Sequence, residues 1–284
     1  AHCYAESGPH PARKDVLTTS DYDRLLQEGA ALGCRAVQFI GGEPTLHRGL
    51  PELIARARAL GYEDVEVYTN GTVLPDTLLS CFVEHRVGIA ASVYADDPDV
   101  HDAVTGRAGS HRRTIANLRR MVDADLDIRV GVITMDVNQN RVEDTVSFLR
   151  ELGIENVHID HARGIGRGGD VCDGESGLQA LCGQCWQGSL CVASDATVSP
   201  CIMAKAWAVG SAADADLAAL VNGGRLREVR DLIRTEVWAQ HAAPGQLCSP
   251  QEGTEKTTPL CSPQEKKICS PNEPQKASSP RWLS

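Results

Sequence analysis

Between Thr19 and Asp160 the sequence switches repeatedly from a helical to a strand pattern, always in that order. "TSDYDRLLQEGAALG" opens on an N-cap candidate and ends at a glycine, as a helix should. "RAVQFI" follows as a short, largely apolar strand. The pairs "GLPELIARARALG" with "DVEVYT", "LPDTLLSCFVEH" with "VGIAASVY", "HRRTIANLRRMVDA" with "IRVGVITM" and "RVEDTVSFLRELG" with "NVHID" repeat the alternation. That order implies a parallel sheet with crossover helices. A strand should precede the first loop, and none is legible there. The unit therefore reads as an α/β fold, a partial (β/α)6 TIM-like barrel lacking its first strand.

In such folds the chemistry gathers at the C-terminal ends of the strands, where the strand-to-helix loops cluster. Those loops are "GGEPTLH" after the first strand, "NGT" after the second, "SVYADD" at the third and "HARGIGRGG" after the last. Glycine at a strand end lets the backbone approach a ligand closely. Asn-Gly and Gly-Gly also mark ordinary turns. Three such loops on one rim, with a carboxylate in the first, point to a ligand bound along the sheet edge.

A chain of 284 residues suggests one large domain, or one with a smaller appendage. Its formal net charge of -10 argues against nucleic acid as a partner, because a phosphate-binding surface needs clustered Lys and Arg. No stretch approaches the roughly 18 apolar residues of a membrane span, and no apolar run precedes Cys3. A cytoplasmic location is expected, with no membrane partner. The 11 cysteines are an odd number, which favours metal or iron–sulfur ligation over a disulfide framework. Cys34 and Cys81 sit in apolar helical stretches and read as core. Cys172, Cys182, Cys185, Cys191 and Cys201 crowd together, and Cys248, Cys261 and Cys269 punctuate a Pro/Ser/Lys-rich tail.

"GGEP" after a strand, with "HCY" upstream, resembles the radical S-adenosylmethionine (SAM) enzymes. Their first motif is Cys-x3-Cys-x2-Cys, commonly with an aromatic residue beside the last cysteine. Cys3 and Tyr4 match its end, and Ala1 and His2 fill the spacer. The middle cysteine of that spacing falls just before Ala1, so the chain is expected to begin inside the cluster-binding loop. The resemblance covers roughly residues 1–205. It implies a [4Fe–4S] cluster whose fourth iron chelates SAM, with Cys3 as one soft thiolate ligand. Gly41, Gly42 and Glu43 would meet the methionine amino group, and Pro44 would rigidify the turn. Asn70 and Ser92 would lie near the ribose or the methionine carboxylate. Gly164 and Gly166, in "GIGRG", would line the adenine side through their backbone.

Two readings stay open for "CGQCWQGSLCVASDATVSPC". Cys182, Cys185, Cys191 and Cys201 have the makings of a tetrahedral zinc site. The segment also resembles the SPASM extension of peptide-modifying radical SAM enzymes. "LCVASDATVSPC" reads as its hairpin, turning at Asp195-Ala196, with Ala196 where the family has glycine. The spacing of Cys248, Cys261 and Cys269 departs from the family pattern, so one auxiliary iron–sulfur cluster is expected and not two. Its ligands would come from the four hairpin-region cysteines and these three. "GGRLREVRDLIRTEVWAQH" is helical and expected to pack on the barrel. The tail repeats "CSPQ", "CSPQ", "CSPN" and has the composition of a disordered segment. The expected boundaries are 1–170 for the barrel, 171–245 for the Cys-rich SPASM-like extension and 246–284 for the tail.

The resemblance implies hydrogen abstraction from a peptide or protein by a 5′-deoxyadenosyl radical. The outcome would be a crosslink or an epimerisation, with an electron donor such as flavodoxin or ferredoxin. No catalytic side chain is assigned. The alternatives are a non-catalytic iron–sulfur or zinc protein, and a peptide-binding scaffold with a defunct first cluster. His101 and Asp102 pass for an acid/base pair but read better as a loop or helix start. His158 and His161 flank the last strand and read as satisfied polar residues.

Overall fold

A computed structural model describes Cys3 and residues 16–170, 177–239 and 281–283. Its first part keeps the predicted alternation. Helices α1 (Thr19–Ala31), α2 (Leu50–Ala59) and α3 (Asp76–Glu84) alternate with strands β1 (Ala36–Phe39), β2 (Asp64–Thr69) and β3 (Gly88–Ser92). Helices α4 (Pro98–Thr105) and α5 (Ser110–Asp123) lead to β4 (Ile128–Thr134), and α6 (Val142–Glu151) leads to β5 (Asn156–His161). The five strands are parallel and lie in the order β5-β4-β3-β2-β1.

Local chemistry explains the boundaries. The Thr18 side chain caps α1 and Asp21 answers its backbone, a reciprocal capping box. The cap is thus one residue earlier than the sequence pattern suggests. Asp97 caps α4 by accepting the N–H groups of Asp99 and Val100, and Gly106 ends it in the left-handed conformation. The helix start anticipated near His101 is therefore a full short helix.

One face of the sheet packs on the helices. Val65, Val67, Ile89, Val130 and Val132 meet Phe82, Leu118 and Leu149 in a single buried core. In β2 the residues between those valines, Glu66 and Tyr68, point to the opposite face, as the period of two requires.

The second part adds β6 (Ser189–Val192), β7 (Thr197–Ser199) and β8 (Gly210–Ser211), then α7 (Leu217–Asn222) and α8 (Gly224–Ile233). β6 and β7 form the expected antiparallel hairpin, with Cys191 opposite Ser199. Ala196 sits at φ 66, the left-handed region where a glycine carries no Cβ penalty. α8 packs less on the sheet than expected. Val229 and Ile233 join Leu181, Cys185, Cys201 and Ala204 in a second, separate core. Leu226 alone of its buried residues reaches the first core.

The strand beside β1 is β9 (Arg281–Leu283), parallel to both β1 and β6, and it gives the sheet order β1-β9-β6-β7-β8. The position next to β1, for which the sequence pattern offers no strand, is filled by β9. An uncovered strand edge carries unpaired N–H and C=O groups that an extended segment satisfies. The rest of the tail lies outside the described residues. No helix among the described residues is long and apolar enough to cross a membrane.

Candidate functional site

The loop leaving β1 delivers Glu43 to the rim. Gly41 has φ 142, and open space surrounds the position a Cβ would take. Glu43 then caps a short 3-10 turn, Pro44–Leu46, in which Pro44 supplies the preset φ of a first helical position. The Glu43 carboxylate bridges two strand ends. Its Oε1 accepts from Thr45 N (3.1 Å), Thr45 Oγ1 (2.7 Å) and Thr69 Oγ1 (2.6 Å). Its Oε2 accepts from Asn70 N at 2.7 Å.

Asn70 lies in a turn of its own making. Its Oδ1 accepts from Thr72 N (2.8 Å) and Thr72 Oγ1 (2.6 Å), so the side-chain carbonyl is committed locally. α5 fixes the turn from behind, through Thr114 Oγ1 to Asn70 O and Asn117 Nδ2 to Gly71 O, both at 2.8 Å. At the end of β3, Ser92 Oγ and Tyr68 OH lie 2.9 Å apart. Burial pushes the Tyr94 hydroxyl up in pKa; the neighbouring Tyr68 and Cys3 add to this, and the Ser92 hydroxyl opposes it.

Cys3 reaches the same rim. Its carbonyl accepts the Arg167 N–H at 3.2 Å, which ties it to the glycine loop after β5. That loop is tight. Gly166 has φ 58, and a Cβ on Gly168 would stand 2.0 Å from the Arg163 carbonyl oxygen. Arg163 anchors the loop through Asp160, Nη2 to Oδ2 at 3.0 Å. The rim thus brings together Cys3, Glu43, Asn70, Ser92 and the segment of Gly164 and Gly166. Tyr4 lies outside the described residues.

The sheet face beneath this rim is polar, and the sequence pattern did not single it out. Arg129 grips Glu66 with two bonds of 2.7 Å. Gln38 also donates to Glu66, and the Arg129 guanidinium lies 5.7 Å from the centre of the Tyr68 ring. Burial, and then Arg129, hold the His158 imidazole below its ordinary pKa. The available signal was the alternation in "DVEVYT", which puts Glu66 and Tyr68 on one face.

Four of the later cysteines lie near one another. Cys185 Sγ and Cys201 Sγ are 2.8 Å apart. Hydrogen bonding with Cys182 and Cys201, then burial, pushes the Cys185 thiol well up. Cys191 is buried on β6, and burial raises its thiol too. No group of three or more His, Cys, Asp and Glu side chains among the described residues is arranged to hold a metal ion. On β6 it is Leu190 and Val192 that enter the main core; Cys191 between them faces the other way, close enough to Cys201 for that thiol to add to its raised pKa. Cys172, Cys248, Cys261 and Cys269 lie outside the described residues.

The histidine–aspartate pair is structural. The Asp102 carboxylate caps α5, accepting from Gly109 N, Ser110 Oγ (2.8 Å) and His111 N (2.9 Å). His101 is 1% exposed, and its Nδ1 faces the Tyr94 N–H at 3.3 Å.

The family model of the radical SAM superfamily matches residues 1–159. The chain belongs to the radical SAM superfamily. A probable GTP 3′,8-cyclase of Saccharolobus solfataricus is 26% identical over 154 residues, 54% of this chain and 50% of that protein. The PqqA peptide cyclase of Xanthomonas campestris is 28% identical over 165 residues, 55% and 42% of the two chains. Among solved structures, Streptococcus suis SuiB bound to S-adenosylmethionine shares the fold, with a TM-score of 0.64 and 13% identity. That match covers 77% of this chain and 62% of SuiB, and a further SuiB structure contains its precursor peptide SuiA. The chain spans half or less of the length of these curated relatives. Radical SAM proteins bring a [4Fe–4S] cluster and SAM to this reading. Cys3 has the soft sulfur such a cluster takes. Glu43 Oε2, with one donor in place, keeps lone-pair capacity for an ammonium. The cluster's further thiolates are not among the described residues at this rim.

Proposed function

We propose that this chain is the SAM-binding part of a radical SAM enzyme that abstracts hydrogen from a peptide. In this reading residues 1–170 form a partial barrel and 171–245 a SPASM-like extension, with 246–284 as its tail. The observation that carries the reading is the Glu43 carboxylate, braced across the ends of β1 and β2, on the rim that also holds Cys3. Cluster and SAM together supply a one-electron reductive cleavage that yields a hydrogen-abstracting carbon radical.

The chain's own residues bind and orient. Glu43 accepts the methionine ammonium of SAM at Oε2, while its Oε1 bonds hold the carboxylate in place. Gly41 offers its backbone without side-chain obstruction. The loop of Gly164 and Gly166 closes the opposite side through main-chain groups. Cys182, Cys185, Cys191 and Cys201 are the candidate hairpin-region ligands for an auxiliary cluster, and an electron carrier such as flavodoxin or ferredoxin supplies the reductant.

The sheet face favours a peptide over a nucleotide triphosphate. Arg129 is neutralised by Glu66 and Arg163 by Asp160, so neither of these two guanidiniums is spare for a phosphate chain. The likeness to a peptide cyclase supports the same choice.

The test is anaerobic. Protein expressed from its full reading frame is reconstituted with iron and sulfide, then given SAM, dithionite and candidate precursor peptides. The expected result is release of 5′-deoxyadenosine with loss of hydrogen mass from the peptide, both falling at least tenfold in Glu43→Ala. Protein that takes up no SAM would overturn the proposal. Turnover with GTP but no peptide would replace the substrate class.

A further inference from the structure

Away from the rim, α8 carries Arg227, Arg230 and, just past its end, Arg234, at helical spacing on one side. With Trp186, Val221 and Asp231 they line a cleft of about 240 Å³. A cluster of guanidinium groups runs against the acidic balance of a chain with net charge -10.

The cleft has more donors than acceptors. Its lone carboxylate, Asp231, pairs with Arg234 at 3.0 Å. Arg230 gives Nη2 to the Ser189 carbonyl at 2.9 Å, but its Nε is buried and has no partner among the described residues. The indole N–H of Trp186 is buried and unpartnered in the same sense. Arg227 is exposed and makes no hydrogen bond or ion pair among the described residues. A guanidinium without an acid partner is a fork-shaped receptor for a planar anion. The space is that of a side chain, not of a protein domain.

We propose that this cleft binds the carboxylate of an aspartate or glutamate on an incoming peptide, against Arg227 and Arg230 and beside the Trp186 ring. The choice of a peptide as carrier rests on the function proposed above. Trp186 follows Cys185 directly, so a peptide held here is anchored next to the cysteine pair. A carboxylate suits the cleft better than a dianion, because Asp231 already stands in the lining.

Tryptophan fluorescence of the full chain reads the test. It is titrated with a blocked glutamate-containing peptide, with the same peptide bearing glutamine, and with inorganic phosphate. Saturable binding at least tenfold tighter for the glutamate peptide is expected. Arg227→Glu should abolish that preference, and Arg225→Glu, on a residue paired with Glu228 outside the cleft, should preserve it. Equal binding of the two peptides, or an unaffected Arg227→Glu protein, would overturn the proposal. Phosphate binding as tightly as the glutamate peptide would also overturn it, in favour of a free-anion site. The 5′-deoxyadenosine assay is read separately. Glutamate-selective binding without SAM cleavage leaves the cleft standing and removes the reaction. SAM cleavage with non-selective binding does the reverse.

Discussion

Glu43 and Asn70 are joined across the C-terminal ends of two neighbouring strands, the carboxylate Oε2 accepting the Asn70 backbone N–H at 2.7 Å. The bond makes the acid a brace as well as a receptor. Binding chemistry and loop geometry are therefore coupled at one side chain.

That coupling predicts the effect of Glu43→Gln. An amide presents N–H where one carboxylate oxygen accepted, so either Asn70 N–H or the Thr45/Thr69 donors lose their partner. A charge-assisted bond of this kind is worth about 1.5–3 kcal/mol. Urea unfolding should show a midpoint shift of that size. SAM affinity should fall by more than the stability loss accounts for, since the ammonium also loses its counter-charge. A Glu43→Gln protein with both quantities unchanged would remove the carboxylate from the site.

Acid should destabilise the fold in two stages. Burial, and then His111, hold His101 down at about 4, with Asp102 opposing. The unfolded imidazole titrates near its ordinary 6.5 and takes up a proton first. Stability is full above that value and is lost as pH falls from 6.5 through 4, by about 3 kcal/mol. His111 is also lowered by burial and steepens the same window. Bonds from α5, led by the His111 N–H, hold Asp102 down at about 2, so its contribution is lost later, below pH 3.8. Unfolding free energies measured from pH 8 to pH 3 should show the first slope, and His101→Phe should flatten it.

How much of this was readable beforehand varies with the range of the interaction. The β2 strand was legible to the residue, because Val65, Val67 and Thr69 alternate with Glu66 and Tyr68 between clear breaks. Glu43 was legible as part of a motif, but its partners Thr69 and Asn70 come from another strand, and only the parallel register brings them near. α4 shows in the sequence only as a possible helix start, because eight residues hold too few turns to establish a period. The Cys185–Cys201 contact depends on where a hairpin places Cys201, which spacing does not encode. The pairing of β9 is further still from the sequence, since a three-residue strand has no pattern of its own.

The cysteine chemistry makes a distinct prediction. Thiols react as thiolates, so a raised pKa combined with burial suppresses alkylation. Cys185 and Cys191 are both buried and raised, whereas Cys182 is half-buried. Metal-free protein treated with iodoacetamide at pH 8 should label Cys182 at least tenfold faster than either, as read by peptide mass spectrometry. Fast labelling of Cys185 would mean that its contact with Cys201 does not persist in solution.

The polar sheet face gives the last prediction, through Glu66 and Arg129. Their side chains are only 22% and 16% exposed, and Arg129 meets the carboxylate with two donors. Removing one partner strands the other charge in a poorly solvated place. Fully buried pairs lose about 3–5 kcal/mol this way, and partial exposure lowers the figure to roughly 2–3 here. Gln38 makes the two single changes unequal. After Arg129→Met it still donates to Glu66 and softens the loss. After Glu66→Gln its partner becomes a neutral amide, and Arg129 keeps its charge but loses both carboxylate bonds. Glu66→Gln should therefore be the more damaging single substitution, and the double substitution should cost less than the sum of the two. A double-mutant cycle on urea unfolding would measure that coupling. Strict additivity would mean that the two charges are solvated independently and that this face is wetter than its burial implies.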